Sequence, residues 1–476
     1  MGTLLRIARL TLWLEVILMA SQGASAAADL AAGVAVVDIT PPLGYRMAGY
    51  FNERLNTGVH DPLHARALVL RQGDRQAALV VCDLIGLPGD LSRRARRLAS
   101  EKTGIPAANI LIAATHAHTG PLYAGALRNH LHDAAIAREG KDPCESVDYS
   151  AQLAERLVRA IAQAHAAARP VRVEAGAAEQ LGLSFNRRFH LKDGSVRFNP
   201  GVLNPDIVRA AGPIDPQVGI LLLRDAQDGR PIASVTNFAL HLDTLGGTLY
   251  SADYPYYLEQ SLRKSFGDSF LSLFFNGTCG DINHVDVTTK DRLKTERIGT
   301  TLAETVKAKL PSLKPIAAPN LDVRSATVTV PLQQVTPAQR DQARKDMAYV
   351  GTSERSFLDQ VTAYKIVDLE LHGTTHTALD VQVFRLSDDV ALVGLPGEVF
   401  VELGLAIKRG SPFGTTLVAE LCNDTPDYIP TRKAFGEGSY EVVNSRVAPG
   451  GGETLVEAAL RLLRELRPPT PRDEPR

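Results

Sequence analysis

Five strongly apolar runs each break into polar, chemistry-bearing residues within a few positions, and this pattern constrains the fold more than any other feature. "NILIAATHAHTGP" ends in His116 and His118, and "SVTNFALHLDT" ends in His241 and Asp243. "FFNGTCGDINHVD" runs from Phe274 to Asp286, and "VALVGLPGEVF" turns at Pro396 and Gly397 before Glu398. "TLVAELCNDTPDY" ends in Asn423, Asp424, Asp427 and Tyr428. Runs this apolar read as buried strands. They alternate with helical stretches expected at 91–103, 149–168, 254–266, 291–310 and 453–466; Thr336 and Pro337 give the cap and first turn of another. The alternation predicts an α/β fold, a mixed buried β-sheet or sheets flanked by helices. Segments 122–147 and 184–216, rich in Gly, Pro, Asn and Arg, read as long irregular loops serving a site.

At 476 residues and 45% hydrophobic, the chain can bury one large core or two medium ones. It carries no internal repeat or long linker, so a single catalytic domain is expected over 27–466. Before it, Arg6 and Arg9, an apolar stretch over 10–20 and the small residues Ala24, Ser25 and Ala26 form a secretory signal pattern over 1–26. A secreted or periplasmic protein is expected, with no membrane span in the mature chain. The Pro-rich, charged end at 467–476 reads as a disordered tail. Cys82, Cys144, Cys279 and Cys422 show no CxxC spacing; an oxidising compartment would allow up to two disulfides, in any of three connectivities, while Cys82, Cys279 and Cys422, which end or interrupt apolar runs, are as readily small buried residues.

A formal charge of -1, from 52 basic and 53 acidic residues, provides no field for nucleic acid or an acidic membrane. A small molecule or lipid is the expected partner, with at most transient contact with a membrane surface. In open α/β sheets ligands bind beyond strand ends. In an extended strand end, His116 and His118 would point to the same side, into one cavity. Singly, a His or Asp after a strand is more often a turn former, and Glu398 would be explained by the positive end of a helix opening there. Five such ends brought to one sheet edge outweigh that explanation. Imidazoles with a carboxylate suit zinc with one open position, and therefore hydrolysis. His130, His132, His165, His190, His372 and His376 read as peripheral, solvated groups.

These residues sit in motifs that resemble the neutral, non-lysosomal ceramidases, zinc-dependent amidases. The resemblance runs through "GVAVVDITPPLGYRMAGY", "HDPLHARALVL", "THAHTGP", Asn186 to Arg188, "NFALH", Gly280-Asp281, "GLPGE" and "YIPTRKAFGEGSYE", in the family's order. It implies one zinc ion per chain, held by His116, His241, Glu398 and Tyr428. It implies catalytic roles for His118, in polarising or protonating the amide, and for Tyr440, in donating to the oxyanion. Arg187 is expected beside the substrate. Asn283 stands where the family has a serine; its amide could still donate to an oxyanion, with Asp281 or His284 handling a proton, so the expected nucleophile is zinc-activated water. The chain stops soon after the tyrosine motif, so the family's C-terminal immunoglobulin-like domain is not expected. The expected substrate is ceramide or a related N-acyl compound. The competing readings are a non-catalytic lipid- or ligand-binding relative and another metallohydrolase, an esterase or phosphatase. For the last, Asp83, Asp243 and Asp424 would be the extra carboxylates.

Overall fold

Period-two alternation along the strands decides the layering. In the strand Arg75–Cys82, the side chains of Ala78, Val80 and Cys82 join a core under helices, while Ala77, Leu79 and Val81 join another core shared with a second sheet. The strand Gln217–Asp225 splits the same way, with Val218, Ile220 and Leu222 under helices and Leu221 and Leu223 between the sheets. In the second sheet, Phe384 and Leu392 face inward, while Val381, Val383 and Val393 pack under its own helices. The strands formed by the uninterrupted apolar runs are therefore buried on both faces, as those runs predict, while the edge strand Asp322–Pro331 of the second sheet stays largely exposed. A fully buried Leu or Val in these layers contributes about 1.5–3 kcal/mol.

These features are seen in a computed structural model that describes residues 29–467. The expected signal, and all of the expected tail except Arg467, lie outside the described residues. The larger sheet has nine strands, ordered Leu271–Asn276, Pro231–Phe238, Gln217–Asp225, Arg169–Glu179, Ala31–Asp38, His64–Gln72, Arg75–Cys82 and Ile110–Ala114, with Lys314–Pro315 paired onto Arg169–Glu179. Its two end pairs are parallel and the pairings between them antiparallel, which makes it the expected mixed sheet. The second sheet is ordered Asp322–Pro331, His376–Arg385, Val390–Gly394 and Thr415–Ala419, its last pair parallel. The helices Gly89–Thr103 and Tyr149–Ala166 cover one half of the large sheet, and Tyr254–Phe266 and Thr295–Lys309 the other. Val401–Gly410 and Gly451–Leu466 cover the second sheet.

The five expected strands therefore do not end on one sheet edge. Three lie in the large sheet, two of them at its opposite edges, and two lie in the second sheet. Strand twist accumulates across the large sheet, and its edges come together: the Asn276 side-chain amide donates to the Thr115 carbonyl at 3.3 Å. The second sheet joins at the same place, through the bridge Ala113 to Cys422 and a bond from the Glu420 amide to the Asn276 carbonyl at 3.0 Å. The site stands on this seam.

Local expectations needed correction in several places, segment 184–216 among them: it holds the strands Phe185–Asn186, Arg188–Leu191, Val196–Phe198 and Ile207–Ala210, the last three forming a small antiparallel sheet. Segment 122–147 contains the helix Gly125–Glu139, ended by Gly140 in the left-handed conformation. The helix Phe357–His372 carries apolar residues all round instead of in one stripe, so periodicity does not reveal it. All four cysteines are free, and Cys82, Cys279 and Cys422 are buried as small core residues. His132 is not a freely solvated group: its Nδ1 lies 2.8 Å from Asp142, in a cluster whose carboxylates are held by Arg46 and Arg128. No helix among the described residues is long and apolar enough to cross a membrane.

One buried charge gives a stability prediction. Lys365 is 9% exposed and donates to Gln333 Oε1 at 3.2 Å. Burial, with the Arg446 charge adding to it, pulls its ammonium down to about 8. The unfolded chain then binds more protons than the folded one between pH 8 and the ordinary lysine value, so stability rises with pH across that window. Lys365→Met is expected to stabilise the protein at pH 7 by on the order of 1–3 kcal/mol and to flatten that rise. Denaturant unfolding at pH 7 and pH 10 measures both.

Candidate metal centre

His116 lies just past the end of Ile110–Ala114, and its backbone is not extended: φ is 79°. Bonds from the His116 and Ala117 amides to the Leu84 carbonyl hold this turn. Left-handed backbone at a non-glycine residue costs of order 1–3 kcal/mol and gathers at functional sites. Asp427 and Ser439, which precede Tyr428 and Tyr440, share it. His116 and His118 thus reach one cavity through a strained turn instead of strand alternation, with ring centroids 4.9 Å apart.

Glu398 does not open a helix. Glu398–Val399 pairs in parallel with Tyr428–Ile429, Glu398 opposite Tyr428, and the helix starts at Val401. Bonds from the Glu398 amide to the Asp427 carbonyl at 2.9 Å and from the Phe400 amide to the Ile429 carbonyl at 3.1 Å make this pairing. The glycine turn packs against it. A Cβ on Gly280 would stand 2.5 Å from the Glu398 carbonyl oxygen, so only glycine fits there.

The centre is compact. The Nε2 atoms of His116 and His241 lie 3.0 Å apart, and Glu398 Oε2 is 3.3 Å from the first and 3.9 Å from the second. His116 Nδ1 is 2.7 Å from the Ile85 carbonyl, which fixes the proton there and leaves Nε2 as a lone pair. His118 completes a group of three buried imidazoles whose nitrogens lie within 4.8 Å of one another. Both its ring nitrogens, and Glu398 Oε2, lack a hydrogen-bond partner. On the far side, Arg187 donates to Tyr428 Oη at 3.0 Å, to the Gly280 carbonyl at 2.8 Å and to Glu441 at 2.9 Å.

Charges follow from this packing. Burial pulls His116 down, but Glu398 and the Ile85 carbonyl outweigh it and leave it raised. Burial also works to raise Glu398, yet His116, Arg187 and Tyr428 hold it below the usual range. Burial, reinforced by His116 and Arg187, drives His241 far below the ordinary imidazole value. His118 is pushed down to about 4, mainly by burial and against the pull of Asp243. Burial raises the Tyr428 and Tyr440 phenols, so both keep their protons.

These residues fit a zinc ion. Two nitrogen ligands about 2.0–2.1 Å from tetrahedral zinc stand about 3.3 Å apart, close to the observed imidazole spacing. Lone-pair nitrogens facing each other beside an unpartnered carboxylate oxygen are compensated by a cation. A cavity of about 720 Å³ opens above, lined by His116, His118, Glu398, Tyr428 and Tyr440 together with Tyr50, Phe51, Tyr123 and Tyr364.

Arg187, Asp281, Asn283 and His284 are not among the residues lining this cavity. Arg187 is buried, and three of its donor contacts are made to the protein. Asp281 accepts from the Val401 amide at 2.9 Å and from Asn186 at 2.8 Å, which makes it a brace of the turn. The Asn283 amide donates to Asn199 at 2.9 Å and accepts from the Val285 amide at 3.0 Å. His284 is half-buried, with Nδ1 unpartnered. Sequence reasoning missed Tyr50, whose hydroxyl donates to Asp243 at 2.5 Å, while Asp243 Oδ1 lies 3.8 Å from His118 Nδ1. It also missed Glu441, which is fully buried against Arg187 and adjoins Tyr440 in the chain. Asn276 and Asn423 each open an Asn-x-Thr sequon, but both are buried with their side-chain amides bonded, which leaves neither open to glycosylation.

Fold and site together define a two-sheet α/β protein organised around one buried histidine, carboxylate and tyrosine centre. The profile described as neutral/alkaline non-lysosomal ceramidase, N-terminal, matches residues 30–344. The chain belongs to that family. It is 27% identical over 250 residues to the neutral ceramidase of Pseudomonas aeruginosa, a match covering 50% of this chain and 34%, about a third, of that relative. The crystal structure of neutral ceramidase from Pseudomonas aeruginosa superimposes with a TM-score of 0.69 at 20% identity, over 94% of this chain and 77% of that one. A ceramidase complexed with C2 gives 0.67 at 19% identity, with the same two coverages. The fold is shared with both.

Proposed function

We propose that the chain is an exported, zinc-dependent amidohydrolase of the ceramidase type, cleaving the amide of ceramide or a related N-acyl compound. The observation that carries this reading is the pair of imidazole Nε2 atoms 3.0 Å apart with the Glu398 carboxylate beside them, His116 and Glu398 lining a cavity. Family membership supports it. His116, His241, Glu398 and Tyr428 would hold the ion, with His118 as the neighbouring imidazole. Zinc bound there supplies a Lewis acid for the carbonyl and lowers the pKa of water to about 7.

The chain's own groups do the remaining work. Tyr440 stays protonated and donates to the carbonyl oxygen as it becomes an oxyanion. His118 is neutral, and the Asp243 carboxylate favours its proton on Nδ1, so Nε2 is free to take a proton from attacking water and return it to the leaving nitrogen. Arg187 orients the Tyr428 phenol instead of touching substrate. Asn283 has no nucleophilic group, and its amide is already committed, so water is the nucleophile. The aromatic lining suits an acyl chain, and the volume falls in the range of about 300–1,000 Å³ usual for small-molecule sites.

A screen of acyl amides that includes ceramide tests this reading, with a phosphate-ester panel beside it. The expected outcome is zinc-dependent amide cleavage. Asp83 is bonded to Arg66 at 2.7 Å, away from the centre, which argues against a two-metal phosphatase. A lipid-binding relative without turnover is the reading that Asn283 favours, and it would fail every amide in the screen. Asp243→Asn is expected to lower kcat about 10–100-fold with KM little changed, a share of the roughly 10²–10⁴ that general acid–base catalysis supplies. Steady-state kinetics would refute the His118 role if kcat stayed at the wild-type value.

A further inference from the structure

Glu420 is a fully buried carboxylic acid just beyond Thr415–Ala419, and no step above uses it. Its Oε2 accepts from the Val399 amide at 2.7 Å and from the Cys279 amide at 3.1 Å; its Oε1 accepts from the Cys279 thiol at 3.0 Å. Val399 follows Glu398 in the chain. Cys279 Sγ lies 3.8 Å from His241 Nδ1, on the side of that ring away from His116. The Gly280 amide closes the arrangement by donating to the Val399 carbonyl at 2.9 Å.

The two segments that Glu420 grips belong to different layers. The turn at Cys279 leaves the large sheet through Leu271–Asn276, while Glu398 and Val399 follow Val390–Gly394 of the second sheet. Among the described residues no ladder pairs the two sheets, so the distance between His241 and Glu398 depends on contacts across the seam. Glu420 spans it with one carboxyl group.

We propose that Glu420 is a positioning residue that sets the placement of Glu398 relative to His241 across the seam and so fixes the geometry of the metal centre. The inference rests on the zinc reading above. Glutamine keeps an oxygen able to accept both amides, whereas alanine removes the link and aspartate is one methylene too short to keep both bonds.

The test is zinc affinity, measured on the full chain by competition with a chromophoric chelator and needing no substrate. Glu420→Ala is expected to bind zinc about 10–100-fold more weakly, the usual loss when a partner behind a metal ligand is removed. Glu420→Gln should stay within about 3-fold of wild type and Glu420→Asp should fall between them. Leu392→Ala, in the core between the sheets, is the control: it should lose stability and keep wild-type affinity. Wild-type affinity in Glu420→Ala would overturn the proposal, as would an equal loss in the control. If Glu420→Ala does not fold, wild-type affinity in Glu420→Asp overturns it. A wild-type protein that takes up no zinc fails the zinc reading itself, and this inference with it.

Discussion

His241→Ala is expected to abolish both zinc retention and amide turnover while leaving the fold in place. His241 sits at the end of a short connection after Pro231–Phe238, buried against His116, with burial and the neighbouring cations keeping its imidazole neutral and ready to ligate. Removing it takes one nitrogen from the ligand set. The loss should exceed the ~10–100-fold that removal of an outer partner costs. Neutral imidazole and alanine are both tolerated in a buried site, so thermal unfolding of the metal-free proteins should be similar. An active His241→Ala protein would contradict the ligand assignment.

Tyr440→Phe is the second large effect. The Tyr440 ring is packed against Phe198 and Phe357, with centroids at 4.8 and 5.3 Å, and against Tyr428 at 5.4 Å, so phenylalanine should fill the same space. Only the hydroxyl is lost. Burial holds that hydroxyl protonated, so it donates at any working pH. Removing one oxyanion donor costs about 10²–10³ in kcat, and KM should change little because the bond forms as charge develops. Wild-type kcat in Tyr440→Phe would remove the hydroxyl from the mechanism.

The site was more legible in the sequence than the fold that builds it. His116, His118, Glu398 and Tyr428 could be found because strongly apolar strands end beside them, and strand ends are where backbone stops pairing and side chains become free to converge; Tyr440 opens a short helix instead and came only from the family resemblance. Their arrangement was not legible. That the five strands are divided between two sheets, and that the large sheet brings its edges together, depends on twist and inter-sheet packing, which leave no local mark. The backbone at His116 and the bridge of Glu398 to Tyr428 are set by tertiary bonds, from the Leu84 carbonyl and the Asp427 segment, and these override local pattern. Arg187 and Asp281 were located near the centre, but their partners Glu441, Val401 and Asn186 are distant in the chain or unremarkable in type. The same holds for Glu420, an acid in an apolar run that becomes informative only once Cys279 and Val399 are seen beside it.

The central claim is that His116, His241, Glu398 and Tyr428 form one zinc site. Elemental analysis of the purified full chain after zinc incubation and removal of free metal tests it most directly. The account predicts about one zinc per chain in the wild type and close to none in His241→Ala. A wild-type protein that retains no zinc, or a His241→Ala protein that retains as much as the wild type, would contradict it.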